Sequence, residues 1–240
     1  MRFYYDFHIH SCLSPCAEND MTPCNLVNMA ALLGYDIIAL TDHNSSGACR
    51  TAMQVGEQAG VVVVPGMELC TAEEVHNVCL FPDIDSAEAF SAYIKTTVPP
   101  VKNRPKIFGQ QYYTDIEDNI IGEEEILLLT ASGVTQTQLP DLIKEYGGVA
   151  YPAHIDRDSH SVISNLGWLD AQMGFINAEI YDAAKTEDLK KKYPDLNKMR
   201  ILHSSDAHSL ERMREREHTI ELPECTPQAL IRTLKGCDCQ

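Results

Sequence analysis

What most constrains this chain is a repeated alternation of short apolar runs and amphipathic segments along its 240 residues. Runs over 3–8, 37–41, 61–65, 75–81, 148–153, 175–180, 201–204 and 218–222 are brief and rich in β-branched and aromatic residues, as strands are. Between them, 23–33, 46–59, 86–97, 138–146, 186–193 and 226–234 carry helical periodicity. Two helix starts are explicit: Thr22-Pro23 and Thr226-Pro227 each place a capping hydroxyl before a first-turn proline. Alternation of this kind builds a mainly parallel sheet, and seven or eight strands in a chain of this length close more easily into one β/α barrel than into two sheets. The expected class is therefore α/β, with residues 1–240 as a single domain. A doubly wound open sheet is the competing architecture, but no Gly-x-Gly follows any expected strand. The rhythm breaks over 99–133, which reads as an inserted hairpin and helix, with Glu123, Glu124 and Glu125 as a solvated helix start.

Composition narrows the possible partners. The chain has 35 acidic against 19 basic residues, a formal charge of -16, which argues against a broad nucleic-acid surface. An acidic protein still handles phosphate when bound divalent cations reverse the potential inside one pocket. No apolar run approaches the ~18 residues that span a bilayer, and no signal peptide is visible at the N-terminus, so a cytoplasmic location is expected. The nine cysteines are odd in number and irregularly spaced, which fits reduced thiols. Cys12, Cys16 and Cys24, and likewise Cys237 and Cys239, lack Cys-x-x-Cys spacing and read as small buried hydrophobes.

The polar metal-type residues fall in a pattern. His8 and His10 end the first strand, one residue apart, so both imidazoles face one side of the pleat. Asp42 and His43 follow the second strand, Glu68 the third and His154 the fifth, while Asp206 and His208 follow the strand over 201–204. In a β/α barrel the C-terminal strand ends gather on one face, so residues scattered over most of the chain become neighbours there. His76 differs, because it sits early in its own strand and reaches that face only if the strand runs antiparallel or enters late. Glu18 and Asp20, in the loop after His10, each offer a further carboxylate, with Glu18 preferred. His8, His10, Glu18, His43, Glu68, His76, His154, Asp206 and His208 are too many ligands for one ion and suit a cluster of two or three divalent ions, with Zn, Mn and Fe all compatible.

These residues resemble the polymerase and histidinol phosphatase (PHP) family of metal-dependent phosphoesterases. The matching blocks occur in order as His8-Ile-His10, Thr41-Asp-His43, Pro152-Ala-His154 and Ser205-Asp-Ala-His208, with Glu68 and His76 at intermediate ligand positions. The resemblance implies a distorted seven-stranded, TIM-like β/α barrel with a trinuclear site. It further implies one ion held by His8, His10, Glu68 and Asp206, a second by Glu68, His76 and His154, and a third by His43, His208 and the loop acid. The loop departs from the family pattern, since Ser14 is followed by Pro15 where many members have Ser-Asp-Gly.

The chemistry that suits such a site is hydrolysis of a small or nucleotide-type phosphate ester by a metal-activated water. Asp206 or His208 would protonate the leaving oxygen, and Arg157 would hold the phosphate, unless it is engaged by Asp156 or Asp158. His160 is a second phosphate candidate, Asp6 and Asp42 are read as groups that orient imidazoles, and His203 and His218 as structural. Two other classes compete: a metal-dependent amide or lactone hydrolase, disfavoured because no Lys follows an expected strand, and a non-catalytic metal-binding regulatory domain. The sequence leaves the oligomeric state open.

Overall fold

Strands and helices fall close to where the apolar alternation places them in the computed structural model, which describes residues 1–167 and 171–236. The first part of the chain runs β1 (Arg2–Ile9), α1 (Pro23–Leu33), β2 (Ile37–Leu40), α2 (Cys49–Ala59), β3 (Val62–Cys70), β4 (His76–Leu80) and α3 (Ile84–Thr97). The middle holds α4 (Pro105–Phe108), β5 (Tyr112–Thr114), β6 (Ile120–Glu123) and α5 (Leu139–Glu145). The remainder comprises β7 (Val149–Pro152), α6 (Val162–Leu166), β8 (Asn177–Glu179), α7 (Thr186–Lys192), β9 (Arg200–Leu202), β10 (Thr219–Glu221) and α8 (Pro227–Leu234). Thr22 and Thr226 cap α1 and α8 as their sequences require, accepting from the amides of Asn25 and Ala229.

Six strands form one curled sheet in the order β10-β1-β2-β3-β4-β7, and β8 pairs with β9 in a separate parallel ladder. β1, β2 and β3 are mutually parallel, so their C-terminal ends lie together. The β8–β9 ladder is tied to β7 on one side, where the Ile155 amide donates to the Glu179 carbonyl, and to β1 on the other, through the parallel bridge Ile9↔Ala207. Apolar side chains of these strands, among them Tyr5, Phe7, Val64 and Tyr151, pack with Leu230 and Leu234 of α8. Burying each large side chain of this kind contributes about 1.5–3 kcal/mol.

Four expectations change. β3 does not stop at residue 65 but continues to Cys70, because its second half pairs antiparallel with β4 from Gly66↔Leu80 to Cys70↔His76. Glu68 therefore lies inside a strand, and His76, at the start of the antiparallel partner, arrives at the same end. The acidic run 123–125 starts no helix: Glu123 ends β6 and Glu124 is buried, bonded to Lys95 and Tyr113. The Gln111 side chain bonds the Glu124 and Ile126 carbonyls and the Leu128 amide, consuming groups a helix would use. Among the cysteines, Cys12 is buried, but Cys16 is exposed and Cys24 only half-buried. Cys237 and Cys239 lie outside the described residues.

Candidate metal centre

Glu68 is the hub. Its carboxylate, 1% exposed, has Oε1 at 3.0 Å from His76 Nδ1, 3.0 Å from His154 Nε2 and 3.2 Å from His8 Nε2. Oε2 lies 3.0 Å from His43 Nδ1 and 3.4 Å from His10 Nε2. Asp206 closes the other side, with Oδ1 at 3.4 Å from Nε2 of both His8 and His10. His208 stacks on His10 with centroids 4.1 Å apart and is tied to Asp206 by Nδ1 donation to its backbone carbonyl. Five histidines and two carboxylates from β1, β3, β4 and the segments after β2, β7 and β9 thus meet in one volume beside His208.

Three sets of side chains bring their ligand atoms within 4.8 Å of one another: His8, His10 and Glu68; His43, Glu68 and His76; and His10, His43 and His208. The hydrogen-bond network fixes which ring nitrogens face inward. His8 Nδ1 donates to Glu179 Oε1 at 2.9 Å. His10 Nδ1 donates to Ser14 Oγ at 3.0 Å, because that hydroxyl spends its own proton on Asp42 Oδ1. Each neutral ring then turns its Nε2 lone pair toward carboxylate oxygens. Lone pair facing lone pair is repulsive unless a proton or a cation lies between them. Consistent with this, His8 Nε2, His10 Nε2, His43 Nδ1 and Asp206 Oδ1 are buried without a hydrogen-bond partner. The donor set is mixed nitrogen and oxygen, which fits divalent Zn, Mn or Fe.

The electrostatics of the bare cluster show the same frustration. Burial drives His10 well below the ordinary imidazole range, reinforced by His208 and His43. Burial also takes His43 down to about 4. Burial acts the same way on His8, but the carboxylates of Glu179, Glu68 and Asp206 prevail and lift it well above that range. Against burial, Glu68 raises His76 to about 10. Glu68 and Asp206 are held well below the usual carboxylate range, since the surrounding imidazoles outweigh the opposing effect of burial.

Supporting groups orient this set. Asp42 accepts from the Ser11 amide and hydroxyl and from Ser14, so it orients His10 at one remove, as the sequence suggests. Asp6 does something different: its Oδ1 accepts the backbone amides of His8 and Ser205 and fixes chain rather than ring. Glu179 escaped the sequence reading altogether. One of its oxygens takes both the His8 Nδ1 proton and the His154 amide, at 2.9 and 3.0 Å, locking two candidate ligands with one carboxylate. Its only sequence signal was a position at the end of an expected strand. His154 and Asp206 both have positive φ, 28° and 49°, the backbone strain often found at functional sites.

The loop acids do not join the cluster. Glu18 and Asp20 are exposed; the Glu18 amide donates to the His208 carbonyl, but neither carboxylate is among the groups gathered here. Cys16 instead lines the cavity of about 240 Å³ above the cluster, with His43, Glu68, His208, Arg157 and His160. Arg157 engages neither Asp156 nor Asp158; its Nη2 lies 2.8 Å from Asp206 Oδ2. His160 stacks on His76 with centroids 4.6 Å apart and donates Nδ1 to the Glu74 carbonyl. His203 donates to the Ile180 carbonyl and its ring lies tilted against that of His218, apart from the cluster.

No family model and no curated protein matches the chain. Solved structures do. Endonuclease Q from Pyrococcus furiosus, described as a lesion-specific endonuclease, superposes with a TM-score of 0.71 at 18% identity over 98% of this chain and 56% of its own. The chain thus spans a little over half the length of that protein. A Bifidobacterium adolescentis protein provisionally designated a metal-dependent phosphoesterase matches with a TM-score of 0.59 at 15% identity, covering 96% of both chains. An amidohydrolase from Chromobacterium violaceum, solved with bound sulfate, matches with a TM-score of 0.59 at 17% identity over 97% of this chain and 96% of its own. At these identities the likeness is one of fold: mixed α/β, built around a curled six-stranded sheet.

Proposed function

We propose that this protein is a metal-dependent phosphoesterase of the PHP type, hydrolysing a small phosphate ester at a polynuclear centre. The observation that carries the reading is the buried Glu68 carboxylate, approached by five histidines, of which His8 Nε2, His10 Nε2 and His43 Nδ1 have no hydrogen-bond partner. His8, His10, Glu68 and Asp206 would hold one ion; Glu68, His76 and His154 a second; and His43 and His208, with His10 beside them, a third. Because Glu18 stands outside the cluster, the third position has fewer ligands and is the weakest of the three. β8 and β9, tied to β7 and to β1, complete a seven-stranded barrel of β1, β2, β3, β4, β7, β8 and β9 within one domain, β10 being an added edge strand.

Divalent ions there would acidify a water toward neutral pH and offset the charge developing on the phosphoryl group. The rest is done by the chain. Arg157 lines the cavity with its guanidinium fork beside Asp206, in position to take a phosphoryl oxygen. Asp206, held ionised, is a ligand and an anchor for Arg157 and not a proton donor. In a two-ion centre His208, at the cavity wall, is free to protonate the departing oxygen as the P–O ester bond breaks; in a three-ion centre solvent does so.

The test is an assay of the metal-stripped protein reloaded with Zn, Mn or Fe(II) on p-nitrophenyl phosphate, its bis-ester, nucleotide phosphates, and an amide and a lactone panel. Turnover of the phosphate esters that depends on added metal supports the proposal. Turnover confined to amides or lactones, or none with any metal, overturns it in favour of the amidohydrolase or the regulatory reading.

A further inference from the structure

The loop between β1 and α1 is pinned on both sides of one set of inward nitrogens. Ser14 Oγ accepts from His10 Nδ1 and from the His43 amide while donating its own proton to Asp42. Four residues on, the Glu18 amide donates to the His208 carbonyl. Cys16 is the midpoint of this clamp, inside a turn closed by the Ala17 amide on the Ser14 carbonyl. The inserted segment presses on the same turn from outside: Gly109, at φ 103°, approaches the Pro15 carbonyl so closely that any Cβ there would collide with it. The residues the clamp brackets, His10, His43 and His208, form one of the three sets whose ligand atoms lie within 4.8 Å of one another.

That set differs from the other two in charge. Each of the others includes the Glu68 carboxylate, whereas this one is three imidazoles. Its His10 Nε2 and His43 Nδ1 are buried and without a hydrogen-bond partner. A divalent ion held by neutral nitrogens alone would carry its full charge into a site shielded from water, which is costly unless an anion accompanies it. Among the described residues lining the cavity over the cluster, the groups able to carry negative charge are Glu68, Asp206 and Cys16. Glu68 already faces five histidines, and Asp206 faces His8, His10 and Arg157. That leaves Cys16. The residue as a whole is exposed, yet its sulfur is on the cluster side, where burial and the carboxylates of Glu68 and Asp206 push the thiol pKa up.

We infer that Cys16, as a thiolate, is the anionic ligand of the third metal position, completing it with His43 and His208. The inference rests on the polynuclear reading of the metal centre and supplies at that position the charge that Glu18 does not. Without an ion the sulfur stands outside the three close sets of ligand atoms. An exposed cysteine closes on one by changing a single side-chain rotamer, and its bond to zinc, about 2.3 Å, is longer than the ~2.0 Å to an imidazole nitrogen. On binding, the S–H bond breaks and its proton passes to solvent, while the electron pair left on sulfur is donated to the metal, so no oxidant or reductant takes part. A thiolate among imidazoles makes a soft site, which favours Zn over Mn at this position, whereas the positions built on Glu68 and Asp206 stay open to either.

The experiment uses Co(II), whose bond to a thiolate gives a sulfur-to-metal charge-transfer band in the near ultraviolet that nitrogen and oxygen ligands do not give. The metal-stripped full chain is titrated with Co(II) in the wild type, Cys16→Ala and Cys16→Asp, and both the band and the cobalt retained per chain are read. The wild type should show the band and both variants should lose it. C16A should retain one cobalt ion fewer, and C16D, which restores an anion through oxygen, should regain the ion without the band. A second arm needs no variant: alkylation by iodoacetamide, followed by mass spectrometry, compares Cys16 with the half-buried Cys24. Zn should protect Cys16 and leave Cys24 unchanged. Cobalt bound without the band, a band that persists in C16A, or Cys16 alkylated equally with and without Zn overturns the inference. No substrate enters either arm, so the two readings fail separately. Phosphate-ester turnover by a wild type that lacks the band would remove Cys16 as a ligand and leave the phosphoesterase reading standing. The band without turnover would do the reverse, and no cobalt bound at all would overturn both.

Discussion

Single residues decide whether the histidines at the strand ends act as ligands. Glu179 is the clearest case, because one oxygen sets the His8 tautomer and holds the His154 backbone. Loss of a group that orients a metal-bound imidazole typically lowers metal affinity 10- to 100-fold. Glu179→Ala should show a drop of that order in competition with a chromophoric chelator. Glu179→Gln, which keeps an acceptor, should lose less; wild-type affinity in E179A would show that His8 needs no such support. Asp6 illustrates a cost in the same region. Burial lifts its carboxyl from 3.8 to about 6. Between those values the folded state binds more protons than the unfolded one, so stability falls as pH rises through that window. The metal-free wild type should therefore lose on the order of 2–3 kcal/mol relative to Asp6→Asn between pH 4 and 7, read by urea denaturation at both pH values. A constant difference would mean that Asp6 does not titrate there.

At the scale of elements, the parallel strands were legible because apolar runs, caps and trailing ligands repeat together. The continuation of β3 into a hairpin with β4 was not, since residues 71–75, where the chain reverses, contain no Gly, Pro, Asn or Asp and the antiparallel register is a tertiary fact. That hairpin is why His76 belongs to the site despite its early position. The histidines and carboxylates that gather there were legible as candidates from spacing, whereas Glu179 and Ser14 were not, because only the folded chain brings them beside His8 and His10. The loop acids show how far spacing alone reaches: carboxylates near a His pair suggest ligands, and here Glu18 and Asp20 are exposed while the Glu18 amide bonds the His208 carbonyl. The inserted segment is fastened to the site by Asn44, next to His43. Its side chain donates to the Leu128 and Thr130 carbonyls and accepts the Cys70 amide, all within 2.7–2.9 Å. Asn44→Ala leaves these buried groups unpaired at a positive φ of 49°, with an expected loss of about 2–4 kcal/mol by chemical denaturation. A loss below about 0.5 kcal/mol, the range of neutral surface changes, would show that the segment is held elsewhere.

For the whole molecule, a net charge of -16 and a cluster of buried imidazoles and carboxylates make sense together only with cations. The bare centre is internally frustrated: His10 and His43 are pushed toward neutrality by burial while His8 and His76 are pulled toward protonation by carboxylates. Divalent ions would replace those protons and satisfy both sets at once. In a fold shared with endonuclease Q, over only part of that protein's length, the sheet positions the clustered histidines and carboxylates, and the loops after β7, β8 and β9 supply what surrounds them. The most direct measurement is diffraction from crystals of the metal-loaded protein, collected at the absorption edge of the bound element. The account predicts two or three anomalous peaks, each within bonding distance of a Glu68 oxygen or a His10, His43 or His208 nitrogen. A single peak away from Glu68, or none in protein soaked with Zn, Mn or Fe(II), would contradict it.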